Sequence, residues 1–81
     1  MDYKRADAIL SSVMEIMRET REEQGLSLKK LGALSGVERT TIGKMEAGKR
    51  SPSLHACLRV ADALGLDLGD VLQAAMKSRV R

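Results

Sequence analysis

Apolar residues recur at spacings of three and four along most of this chain, which is the spacing of one face of an α-helix. The first such run predicts helix one from about Asp7 to Glu23. Its apolar positions are Ala6, Ile9, Leu10, Val13, Met14 and Met17. Gln24 and Gly25 end this helix, because glycine readily adopts the left-handed conformation that closes a helix.

Two short helices follow, separated by a glycine. Helix two is predicted from Leu28 to Ser35, with the hydroxyl of Ser27 at its N-terminal cap and Gly36 at its end. Helix three is predicted from Glu38 to Ala47. Two helices joined by a short turn that contains glycine are typical of a helix-turn-helix unit.

Helix three has two unlike faces at about 100° per residue. Ile42, Met45 and the flank of Thr41 point to one side, which we expect to be buried. The other side is short, polar or basic and consists of Arg39, Thr40, Gly43, Lys44 and Ala47. This side is therefore predicted to face solvent or a partner.

Gly32 lies inside helix two, where glycine costs about 1 kcal/mol relative to alanine. We expect the missing side chain to allow helix three to cross closely, as a helix-turn-helix requires. The alternative is an unremarkable surface glycine.

Two further helices complete the pattern. Helix four is capped by Ser53 and stops at Gly65, and helix five begins at about Asp67 and frays into the basic tail, residues 77–81. Their apolar stripes are Leu54, Cys57, Leu58, Ala61 and Leu64, and then Leu68, Val71, Leu72, Ala75 and Met76. No strand pattern or repeat is present, so the sequence predicts one all-α domain of five helices over residues 1–81.

Composition narrows the range of functions. With one Tyr and no Phe or Trp among 81 residues, the chain lacks the aromatic platforms that stack single-stranded bases. The formal charge of +3 permits binding to a polyanion. Acids gather in helix one, whereas the central stretch is basic, with Lys29, Lys30, Arg39, Lys44, Lys49 and Arg50. One face is therefore expected to be locally positive.

Catalytic and metal chemistry is not indicated. His55 and Cys57 are the only His and Cys, too few for a structural zinc site, and we predict no metal, no cofactor and no enzymatic activity. Cys57 is interpreted as a buried thiol, with redox sensing as the alternative, and His55 as solvated. Met14, Met17, Met45 and Met76 are interpreted as core residues. No transmembrane run or signal-peptide core is present, which predicts a cytoplasmic protein.

The central stretch also resembles a known family. REEQGLSLKKLGALSGVERTTIGKMEAGKRSPSL, followed by ADALGLDLGDVL, resembles the Cro/C1-type (XRE-like) helix-turn-helix family of phage repressors and bacterial regulators. The resemblance covers about residues 13–72, with the N-terminal part of helix one and the basic C-terminal tail as extensions. It implies a lambda-repressor-like fold and binding to double-stranded DNA.

The resemblance also implies roles for individual residues. Helix three would lie in the major groove, with Arg39, Thr40, Gly43 and Lys44 at base-reading positions, although Lys44 could instead settle on a phosphate. The positions that hold phosphates in the family are Ser27, Thr41, Ala47 through its backbone N–H, Lys49 and Arg50. Lys49 and Arg50 could equally serve the dipole of helix three.

Four positions bear on the details of that assignment. The family tends to pair the positions of Arg21 and Glu46, so Glu46 is interpreted as structural. Leu28 stands where the family often has Gln, so a backbone contact is expected to be missing. Glu38 replaces a small cap and would repel phosphate unless it accepts a hydrogen bond from cytosine. Gly43 either permits close approach of the backbone or reads nothing.

These expectations define a small transcriptional regulator that binds an inverted-repeat operator as a homodimer. Surplus apolar residues at Ile9, Leu10, Met76 and Val80 suggest helix five and the tail as the interface. An alternative is an antitoxin-type protein whose DNA binding serves autoregulation and whose extra residues meet a toxin-like partner. A restriction-modification controller protein is a further option.

Overall fold

The computed structural model describes residues 3–79, and over this range the chain forms five α-helices and no strand. In chain order the helices are α1 (Tyr3–Glu23), α2 (Leu28–Ser35), α3 (Arg39–Glu46), α4 (Leu54–Ala63) and α5 (Leu68–Arg79). The predicted all-α, five-helix architecture is confirmed.

Two helix ends differ from the prediction. Helix α1 begins at Tyr3 rather than near Asp7, since the intervening residues are good helix formers and include no breaker. Helix α5 continues to Arg79, so fraying from Lys77 onward was wrong over that range. Its buried Ala75 keeps the last turns packed on the core. Val80, which was expected to contribute to an interface, lies outside the described residues.

Short polar side chains start three of the helices. The hydroxyl of Ser27 accepts a hydrogen bond from the Lys30 amide at 3.0 Å, and the hydroxyl of Ser53 accepts one from the Ala56 amide at 3.0 Å. At the start of α5, a carboxylate oxygen of Asp67 accepts from an amide one turn later, at 3.2 Å. These caps satisfy amides that a helix leaves unpaired and so define where each helix begins.

A single aliphatic and thioether core joins all five helices. Helix α1 packs on α3 and α5, α2 packs on α3 and α4, and α4 packs on α5. The buried apolar residues are Val13, Met14, Met17, Leu31, Ile42, Met45, Cys57, Val60, Ala61, Leu64, Leu68, Val71 and Ala75. Because α2 and α3 each supply few of these residues, their positions depend on the other three helices.

Some apolar residues that were predicted to be buried lie on the surface. The exposed fractions are 68% for Leu54, 48% for Leu58, 37% for Leu72 and 40% for Met76. Met76 is therefore not a core residue, and the interpretation that it fills the core was wrong. In α4 the buried face includes Val60 instead of Leu54 and Leu58, so the helix is rotated about its axis relative to the predicted stripe.

Cys57 is a buried thiol on this α4 face, with 7% of its surface exposed. Burial disfavours the charged thiolate and raises the pKa of the Cys57 side chain above its usual range. The thiol is therefore protonated near neutral pH, which makes it a poor nucleophile.

An ion pair ties α1 to the end of α3. The Nε and Nη2 atoms of Arg21 donate to the two carboxylate oxygens of Glu46 at 2.8 and 2.9 Å. The Nη1 atom of Arg21 also donates to the carbonyl of Leu26 at 2.8 Å, just before α2. The hydrogen bonds to Glu46 raise the pKa of Arg21, against the opposing effect of burial. One guanidinium thus joins three segments of the chain.

Removing the carboxylate should destabilise the fold. Glu46→Ala leaves the guanidinium of Arg21 partly buried without its partner, and we expect a loss of about 3 kcal/mol in the free energy of unfolding. Urea denaturation followed by circular dichroism measures this change. Glu23→Ala is the matched control, because Glu23 is exposed, and it should change stability by less than about 0.5 kcal/mol. Equal free energies of unfolding for the two variants would contradict a structural role for Glu46.

Candidate nucleic-acid interface

The two short helices α2 and α3 approach each other at Gly32. A β-carbon built on Gly32 would lie 3.0 Å from the carbonyl oxygen of Val37 and 3.3 Å from the backbone nitrogen of Arg39. Both neighbours are backbone atoms, which cannot move aside as a flexible side chain would. The expected close crossing is therefore confirmed, and it explains a glycine in the middle of a helix.

The turn between these helices is held by local hydrogen bonds. Gly36 adopts a left-handed conformation with φ of 74°, and its amide donates to the carbonyl of Gly32 at 2.9 Å. The buried hydroxyl of Ser35 accepts a hydrogen bond from the Val37 amide at 3.1 Å. The turn therefore closes α2 and starts α3 within three residues.

Helix α3 presents the polar face that the sequence predicted. Ile42 and Met45 are each 1% exposed and hold the helix against the core. Arg39, Thr40 and Lys44 are exposed on the opposite side. This arrangement leaves one guanidinium, one hydroxyl and one ammonium group projecting from the surface of a helix, and such groups read base edges in a major groove.

Gly43 lies half-buried within this face, above α2. A β-carbon there would lie 3.6 Å from the Cδ1 atom of Leu28, which is an ordinary van der Waals distance. The packing of α2 therefore does not require glycine at position 43. Leu28, which stands where the family often has Gln, is therefore the side chain of α2 that packs under Gly43.

Glu38 precedes α3 as its cap residue, but its side chain makes no capping hydrogen bond. The residue is exposed, beside Arg39 at the start of the polar face. The carboxylate is thus free to meet a hydrogen-bond donor on a ligand.

The expected phosphate-binding side chains lie at the start of α2, within α3 and in the loop after α3. Ser27 is exposed at the start of α2, Thr41 is half-buried in α3, and Lys49 and Arg50 are exposed in the loop after α3. Ser27 uses its oxygen to cap α2, which leaves its hydroxyl hydrogen available to donate. Lys49 and Arg50 extend the positive charge beyond the end of α3.

The backbone amide of Ala47 is already occupied. It donates to the carbonyl of Gly43 at 3.0 Å, and the next two amides, of Gly48 and Lys49, donate to Met45 and Lys44 carbonyls. With Gly48 in the left-handed conformation, these bonds close the end of α3. The expectation that this amide serves as a phosphate donor does not fit the closed helix end.

Arg50 also borders a cleft of about 540 Å³ between the loop and α1. Asp7 and Glu15 of α1 line the same cleft. Lys49 does not line this cleft.

One contact to the turn escaped the sequence analysis. The Nε atom of Arg59, in α4, donates to the carbonyl oxygen of Ser35 at 3.0 Å. The two residues lie 24 positions apart. No local sequence pattern signals this contact.

Within residues 3–79, no group of three or more His, Cys, Asp or Glu side chains is arranged to hold a metal ion. Over the same residues, no helix combines the length and apolar character needed to cross a bilayer.

The two glycines of the helix pair should respond oppositely to alanine. Gly32→Ala forces the turn away from α2 and should lower stability by about 1–3 kcal/mol, because overpacking against backbone outweighs the gain in helix propensity. Gly43→Ala meets only an ordinary contact and should raise stability by about 0.5–1 kcal/mol. Urea denaturation of both variants checks the signs, and a stabilised Gly32→Ala variant would disprove the close approach.

Comparison with known proteins agrees with this geometry. The sequence profile of the helix-turn-helix family matches residues 17–71, which run from the second half of α1 into α5. An uncharacterised HTH-type transcriptional regulator of Methanothermobacter thermautotrophicus is 46% identical over 50 residues, which cover 62% of this chain and 72% of that protein. No solved structure matches the chain significantly.

Two further relatives have similar names. The uncharacterised HTH-type transcriptional regulator YgzD of Bacillus subtilis is 36% identical over 68% of this chain and 83% of its own length. A putative HTH-type transcriptional regulatory protein of Methanocaldococcus jannaschii is 33% identical over 67% of this chain, but the match spans only 17% of that longer protein. The chain therefore belongs to the Cro/C1-type helix-turn-helix family of DNA-binding transcriptional regulators.

Proposed function

We propose that this protein regulates transcription by binding an inverted-repeat operator as a homodimer, with α3 of each copy in the major groove. The observation that carries the proposal is the two-sided character of α3. Its buried Ile42 and Met45 fix the helix on the core, and its exposed face carries polar and basic side chains. Two such helices about 34 Å apart would enter successive major grooves of one duplex face.

Three exposed side chains of α3 are proposed to read bases. Arg39 is suited to bidentate contact with guanine O6 and N7, and Thr40 offers a hydroxyl or a methyl group for thymine. Lys44 lies one turn further along and reaches guanine or a neighbouring phosphate. Gly43 between them lets the helix backbone approach the groove closely.

Glu38 supplies a hydrogen-bond acceptor at the start of the reading face. Its exposed carboxylate caps no amide, so it retains full capacity to accept a hydrogen bond from cytosine N4. The same charge would repel a phosphate. Glu38 should therefore favour binding to duplexes with a cytosine near the start of α3. It should weaken binding wherever a DNA phosphate comes close to its carboxylate.

Phosphate contacts are proposed for Ser27, Thr41, Lys49 and Arg50, which flank the reading face. Such contacts position the protein on the duplex without reading its sequence. We leave Ala47 out of this set because its amide is bonded within the helix.

The proposal is tested by selection from a pool of random duplexes at physiological salt, followed by sequencing of the bound DNA. Enrichment of an inverted repeat, with half-sites centred about one helical turn apart, is the expected result. If the folded protein enriches no sequence, autonomous recognition of an operator is wrong.

A pair of substitutions should separate base reading from phosphate binding. Arg39→Ala should cost about 1–3 kcal/mol on the selected site and relax the preference at one base pair. Lys49→Ala should weaken selected and random duplexes alike and reduce the slope of log affinity against log salt by about 1. Fluorescence anisotropy titrations at several salt concentrations measure both effects. The assignments are wrong if the two variants show the same profile.

The proposed dimer would use an apolar groove between α1, α4 and α5. The groove encloses about 380 Å³. Its lining includes Ala6, Ile9, Leu10, Leu54 and Leu72. Leu54 and Leu72 are exposed in the single chain, and a second copy that covers this groove would bury them while α3 stays free.

A charge placed in this groove should break the dimer. Leu54 is 68% exposed, so Leu54→Glu should fold normally but sediment as a monomer at concentrations where the unmodified chain is a dimer. The control is Leu34→Glu, at an exposed leucine of α2 that does not line the groove, and it should remain dimeric. A dimer that survives Leu54→Glu places the interface elsewhere.

A second candidate function starts from the same groove. An antitoxin-type protein would cover it with a toxin-like chain and use DNA binding for autoregulation, whereas a restriction-modification controller would cover it with a second copy. Sedimentation of the purified chain distinguishes a second copy from a different partner. A chain that sediments alone as a monomer, and forms a complex only with a second, identified protein, favours the antitoxin.

A further inference from the structure

Helix α3 differs from its neighbours in the way it begins. Side chains of Ser27, Ser53 and Asp67 accept hydrogen bonds from amides at the starts of α2, α4 and α5. Glu38 gives α3 no such bond. Without a side-chain cap, the start of α3 depends on the preceding turn, and this turn is held by hydrogen bonds of Val37 and Arg59 to Ser35.

The hydroxyl and the carbonyl of Ser35 both help to hold that turn. Its hydroxyl accepts from the Val37 amide at 3.1 Å, and its carbonyl accepts from the Nε atom of Arg59 at 3.0 Å. A cation is favoured at this point because the last carbonyls of α2 carry the negative end of the helix dipole. A hydrogen bond from a charged donor is also stronger than one between neutral groups.

The guanidinium of Arg59 also packs on Gly36. A β-carbon on Gly36 would collide with the Nη2 atom of Arg59, so a larger residue there would displace this guanidinium, and it would also be strained by the positive φ. Arg59 thus covers the turn from the side of α4, while Gly32 lets the turn lie against α2 on the other side.

Arg59 is attached to α4 next to residues that are buried in the core. The next two residues of α4, Val60 and Ala61, are 2% and 1% exposed within the core. Among the described residues, Arg59 forms no ion pair with a carboxylate. It donates its hydrogen bond to the carbonyl of Ser35. The side chain links α4 to the end of α2, at the turn that leads into α3.

We propose that Arg59 is a positioning residue for sequence-specific DNA binding: it clamps the turn between α2 and α3 and so sets the angle at which Arg39 and Thr40 meet the bases. This inference rests on the proposed function, because it concerns the same reading face. It assigns Arg59 no contact with DNA. A direct phosphate contact by Arg59 is the competing explanation, and the two differ in their dependence on salt.

Arg59→Gln tests the inference, with Arg5→Gln as the control that removes one exposed guanidinium elsewhere on the surface. Affinities for the selected duplex and for random duplexes are measured across several salt concentrations, at a temperature where circular dichroism shows all variants folded. For Arg59→Gln we expect the ratio of specific to random affinity to fall about tenfold, with an unchanged salt slope on random DNA. Arg5→Gln should leave the ratio unchanged.

A second measurement needs no DNA. In the free protein, Arg59→Gln should speed hydrogen exchange at the amide of Val37 and shift its ¹⁵N resonance, whereas Arg5→Gln should change neither. Unchanged exchange and resonances at Val37 would overturn the inference, as would an equal loss on specific and random DNA with a reduced salt slope. If the unmodified protein selects no sequence, the proposed function fails, and the Val37 amide still decides whether Arg59 clamps the turn.

Discussion

An isolated helix of eight residues is not stable in water, so α3 exists only because the rest of the protein holds it. Its middle is fixed by Ile42 and Met45 in the core. Its end is fixed by the ion pair between Glu46 and Arg21, and its start by the turn that lies against Gly32. The polar face of α3, which we propose meets DNA, is therefore held in position by contacts of α3 with α1 and α2.

This dependence explains which features the sequence could predict. The limits of α2 and its cap at Ser27 follow from local rules of helix ends, and the purpose of Gly32 follows from the cost of glycine inside a helix. The polar face of α3 follows from its periodicity. Each of these inferences uses residues within about one or two helical turns of one another, where spacing determines geometry.

Features that depend on the packing of distant segments were not predictable in the same way. Periodicity identifies an apolar stripe on a helix, but it does not show how much of that stripe the neighbouring helices cover. The exposure of Leu54 and Met76 is therefore evident only in the folded chain. The bond from Arg59 to Ser35 spans 24 residues, and one from the side-chain Nε2 atom of Gln24 to the carbonyl of Leu64 spans 40. The pair of Arg21 and Glu46, 25 residues apart, was expected only through the family resemblance.

The small residue in the middle of the reading face has an evolutionary consequence. Position 43 sits above Leu28 with room for a β-carbon, and no backbone contact depends on its being empty. A change to alanine would therefore alter the middle of the proposed reading face while the scaffold beneath it stays intact. Under the proposed function, the recognised operator would diverge faster than the fold, because position 43 is separate from the residues that hold the helix in place.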